Sequence, residues 1–95
     1  MLLLAVSVAV AIVGGISNRN ARFATAAALA EIGSKGRGRF PGGTDADAVR
    51  KLTDVHVIRE VGGGYYEPQS VLTGEALGKL VVDDNGNLYE TAVAA

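Results

Sequence analysis

The chain opens with sixteen uncharged residues, Met1 to Ile16, of which Ser7 is the most polar. Three readings fit this stretch. As a membrane helix it rises about 24 Å, short of a ~30 Å hydrocarbon core, and Arg19 and Arg22 would snorkel to close the gap. No Lys or Arg precedes it, so the positive-inside rule would place the C-terminal module in the cytoplasm. As a buried strand it alternates large Leu4, Val6, Val8, Val10 and Ile12 with small Ala5, Ser7, Ala9 and Ala11. As a signal peptide it offers Ala9-Val10-Ala11 as a small-x-small cleavage site, but lacks a basic start. The leading expectation is a single apolar helix at residues 1–18. It would anchor the protein in a membrane or dock it in a larger complex. In the strand reading the protein is instead a soluble component of a virion or other particle.

Ala21 to Ile32 predicts an Ala-rich helix, placed with its flanks at residues 19–33. Asn18 or Asn20 can cap its start, and Gly33 suits a left-handed residue past its end. Phe23, Ala26, Ala27 and Ala30 form its expected contact stripe. Residues 34–43 alternate glycine with Lys35, Arg37 and Arg39 and read as a basic linker. Residues 44–95 form the expected α+β module. Thr44 caps a short helix to Leu52, Asp54 to Val61 is a strand, and Gly62 to Gly64 breaks it. One helical turn is expected between Val71 and Gly78. Asn85-Gly86 predicts a two-residue type I′ hairpin, with Val82 facing Tyr89 and Leu80 facing Thr91. The strand at Val55–Val61 is the expected third member of that sheet.

Composition changes this picture in two ways. The 95 residues are 48% hydrophobic, with 13 glycines and no Cys or Trp. The core is therefore thin, and a domain this small gains from a partner. Disulfides, cysteine zinc sites and thiol nucleophiles are excluded. The net charge of −1 also hides a segregation. From Ser17 to Phe40, Arg19, Arg22, Lys35, Arg37 and Arg39 oppose Glu31 alone, whereas nine carboxylates oppose four cations afterwards. Those five cations are the candidate contacts to an anionic surface such as lipid.

No constellation for catalysis emerges. His56 is the only histidine, and only Glu60 lies near it on the expected strand face. Asp83-x-Asn85-x-Asn87 lacks the glycine and glutamate of a calcium loop. Gly74 to Leu80 is not a phosphate-binding Walker loop. Val8 to Gly33 resembles the first strand–glycine loop–helix unit of the short-chain dehydrogenases, particularly enoyl reductases. That resemblance implies the start of a dinucleotide-binding fold. The rest of the chain departs from it: no second parallel strand follows soon after Gly33, no acidic ribose ligand stands in a matching place, and there is no Tyr-x-x-x-Lys pair. The activity is therefore not carried over. The expectation is a non-enzymatic accessory subunit without cofactor, metal or small-molecule substrate. Its partners would be a larger complex or further copies of itself, with anionic lipid as another candidate; nucleic acid is not expected.

Overall fold

A computed structural model describes the backbone of residues 2–91 and the side chains from Val6 onward. Four helices and two small antiparallel sheets follow in the order α1 (Leu2–Gly14), α2 (Arg19–Lys35), β1 (Gly38–Arg39), α3 (Ala46–Asp54), β2 (Ile58–Gly62), β3 (Tyr65–Pro68), α4 (Val71–Gly78), β4 (Leu80–Val82) and β5 (Leu88–Glu90). The α+β class is as expected.

The apolar run is helical, which removes the strand reading for the described residues. It also removes the likeness to a dehydrogenase first strand. Val6, Ala9 and Val13 recur at helical spacing and enter the core beside Ala26 and Leu29 of α2, Leu52 of α3, Val57, Ile58 of β2, Ala76 and Leu77 of α4, Leu80 of β4 and Leu88 of β5. The side chains of Leu4 and Ala5, part of the expected alternation, lie outside the described residues.

Helix α2 runs longer than expected. The Asn18 side chain accepts the Ala21 amide, and the stop is Gly36, at φ 79°, whose amide donates to the Ile32 carbonyl. Gly33 lies inside the helix, not past its end. The buried face is Thr25, Ala26, Ala28, Leu29 and Ile32, while Phe23 of the expected stripe is exposed. Gly33 faces α4 instead. A Cβ there would fall 2.5 Å from the Gly78 amide nitrogen and 2.6 Å from the Leu77 carbonyl carbon. Close approach of two helix backbones thus requires glycine at this position.

The expected linker contains structure: its start completes α2, and Gly38–Arg39 pairs with β3. The three-stranded sheet has the order β1-β3-β2, with a bulge between Glu60 and Gly62. Strand β2 therefore does not join the C-terminal hairpin. Its predicted start is lost to α3, which extends to Asp54 and ends in a Schellman motif. Val57 donates its amide to the Leu52 carbonyl and His56 to that of Thr53, with His56 at φ 61°. Asp45, rather than Thr44, caps α3 by accepting the Ala48 amide.

The C-terminal hairpin forms in a different register. Val82 faces Leu88, Val81 faces Tyr89 and Leu80 faces Glu90. Gly86 has φ 80°, while Asn85 keeps negative φ. Gly86 donates to the Asp83 carbonyl and Asp83 donates to that of Asn87. This is a type I turn followed by a left-handed glycine, the three-residue hairpin solution. The reason is Asp83. Its carboxylate accepts the amides of Asn85 at 2.8 Å and Asn87 at 2.9 Å, which stabilises this turn over the two-residue one.

Candidate functional site

The five candidate cations separate into two places. Arg19 and Arg22 leave α2 toward the hairpin tip. Arg19 donates to the Asp84 carbonyl at 3.1 Å. Arg22 donates to the Ile16 carbonyl at 2.9 Å and to the Asn87 side chain at 3.2 Å. Gly86 seats directly on the helix there, since a Cβ on it would lie 2.6 Å from the Phe23 amide nitrogen. Hydrogen bonds from Asn87 and Asn85, with Arg22 nearby, hold the Asp83 carboxyl below its ordinary value. These two arginines thus join α2 to the hairpin, a use that their spacing did not signal.

Lys35, Arg37 and Arg39 sit at the other end of α2. Lys35 pairs with Glu31 one helical turn back at 2.8 Å, which raises its pKa. The guanidinium carbons of Arg37 and Arg39 each lie 4.4 Å from the centre of the Tyr65 ring. Arg39 also donates to the Gly63 carbonyl at 2.8 Å. On the opposite face of this sheet, Tyr66 meets Phe40 edge-on at 5.1 Å. Burial, with Glu60 close by, raises the Tyr66 pKa.

The remaining surface feature is α1 itself. Only one side of it enters the core. Ser7, Ala11, Gly14 and Gly15 are exposed, Val8, Val10 and Ile12 are half-buried, and no charge falls anywhere between Val6 and Asn18. Its 13 residues reach about 20 Å. No helix among the described residues is long and apolar enough to cross a membrane.

No protein family, no curated protein and no solved structure matches this chain.

Four of the carboxylates that could carry chemistry serve the fold. Asp45 caps α3, Asp47 pairs with Arg50, Glu67 pairs with Arg59, and Asp83 builds the turn. Among the described residues no three His, Cys, Asp or Glu side chains converge as metal ligands. The open groove of about 800 Å³ between the end of α2, the end of β3 and α4 is floored by Gly33, Gly74 and Gly78. Lys79 and Glu75 at its rim have no charged partner among the described residues.

Proposed function

We propose that this protein is a non-enzymatic accessory module that docks through the outer face of α1. One observation carries the reading. A helix that is apolar all round is normally enclosed on every side, yet α1 is enclosed on one. Its outer face offers Ser7, Ala11 and Gly15 at four-residue steps, so another helix can approach closely. The occupant is an apolar helix of a partner, or α1 of a second copy where no partner is present. At about 20 Å, α1 suits such packing better than a membrane span.

The test compares sedimentation of the full chain with that of Ala11→Glu. The wild type should show concentration-dependent association, and the variant should remain monomeric. Ala11 is exposed, so at concentrations where both proteins are monomeric the variant should melt at the wild-type temperature. Identical sedimentation of the two proteins would defeat the reading.

A further inference from the structure

Pairing register collects the basic residues on a surface that is scattered in sequence. Tyr65 pairs with Arg39 on one side and Gly62 on the other, and Glu67 pairs with Arg59. Directly paired residues share a face, and alternate residues along β3 do so as well. Arg39, Tyr65, Arg59 and Glu67 therefore occupy one face, and Arg37 joins them through its contact with the Tyr65 ring. The other face carries Gly38, Tyr66, Pro68 and buried Ile58, which meet the core. The outward face thus holds three arginines and one carboxylate, and that carboxylate is already paired with Arg59 at 3.2 Å.

From this geometry we infer that the outer face of the β1-β3-β2 sheet binds the phosphate backbone of nucleic acid. Each guanidinium presents a planar fork that fits phosphate oxygens, and the Tyr65 ring holds two of them in place. Arg37 and Arg39 share the Tyr65 ring and Arg59 lies two strands over, so the three guanidinium groups spread across the face. Of the described carboxylates, Glu67 alone lies on this face; Glu60 pairs with Tyr66 on the opposite one and the rest lie outside the sheet, which leaves this face electropositive in a chain of net charge −1. A membrane fits less well, because the apolar helix α1 packs mainly on α2, α3, α4 and β5, away from this sheet. No side chain here is set to read a base edge, so binding is independent of sequence. It does not depend on what covers α1.

The test is fluorescence anisotropy of a labelled oligo-thymidine strand with the full chain across salt concentrations. Three phosphate contacts on a single strand give a slope of log K against log salt of about −2, which is roughly 20-fold weaker binding at about 200 mM than at about 50 mM salt. The Arg37→Gln/Arg39→Gln protein should weaken binding at least tenfold and bring the slope to about −1. Arg50→Gln/Lys51→Gln on α3, with the same charge change, should bind as the wild type does. Circular dichroism melts of both variants exclude unfolding as the cause. No binding at low salt, or equal losses in the two double variants, would overturn the proposal. So would tighter binding to vesicles of equal phosphatidylserine and phosphatidylcholine, or to polyglutamate, than to the oligonucleotide.

Discussion

Replacing Gly33 with alanine sets two physical effects against each other. Gly33 has helical neighbours on both sides within α2. On propensity alone, alanine in a helix interior stabilises by about 0.8–1 kcal/mol. The structure predicts the opposite sign. The added methyl would collide with Leu77 Cβ, the Leu77 carbonyl carbon and the Gly78 amide nitrogen. Two of these are backbone atoms of α4, so no rotamer change relieves them. Overpacking a close contact costs about 1–3 kcal/mol, and the α2–α4 crossing must also open. We expect a net loss of about 1 kcal/mol, equal to ~4–8 °C in Tm for a domain of this size. Gly14→Ala is the control, since nothing lies within 4 Å of its Cβ position. That variant should melt at or slightly above the wild-type temperature. Trimming Leu77 should not rescue Gly33→Ala, because the backbone contacts persist. Thermal and urea unfolding of the three proteins decide the matter. A Gly33→Ala protein as stable as the wild type would refute the close helix crossing.

Three further outcomes are expected. His56→Gly should gain about 0.5–1 kcal/mol in urea unfolding, because a β-carbon at left-handed φ is strained and the Schellman bonds remain available to glycine. Thr25→Val should lose about 1–3 kcal/mol, because the Asp45 amide that donates to Thr25 Oγ1 at 3.0 Å loses its acceptor. Asp83 is held below its ordinary value in the fold, so it stabilises above that value, and the contribution disappears as pH falls through the depressed one. Tm should therefore decline below about pH 4, with a smaller decline in Asp83→Asn; parallel pH profiles would contradict that role for the carboxylate.

Local chemistry explains what was legible in the sequence. Asn18 and the alanine run announce α2, because capping and propensity act over a few residues. The hairpin was visible for the same reason, but its register was not. Register depended on whether the Asp83 side chain would accept two turn amides, and Asn85-Gly86 alone drew attention to the wrong turn. Gly33 read as a helix stop because nothing in sequence shows α4 packed against it. Equally, the apolar run could not choose between strand and helix: alternating Val and Ala serve both periods, and the core spacing of Val6, Ala9 and Val13 becomes decisive only once α2 and α4 are in place. The basic segment read as one cluster. In space it divides, because Arg19 and Arg22 face the hairpin 65 residues away, while Arg37 and Arg39 meet Tyr65.

The docking role of α1 is tested most directly by the accessibility of its outer face. The chain contains no cysteine, so Ala11→Cys introduces a single thiol. Its reaction rate with a maleimide is measured over rising concentrations of the full chain, beside that of Glu60→Cys, an exposed position on β2, away from the elements that α1 mainly packs on. If α1 is a docking face, the thiol at position 11 becomes progressively protected as copies associate, while the thiol at position 60 reacts at a constant rate. Equal rates at the two positions across the whole range would contradict the account.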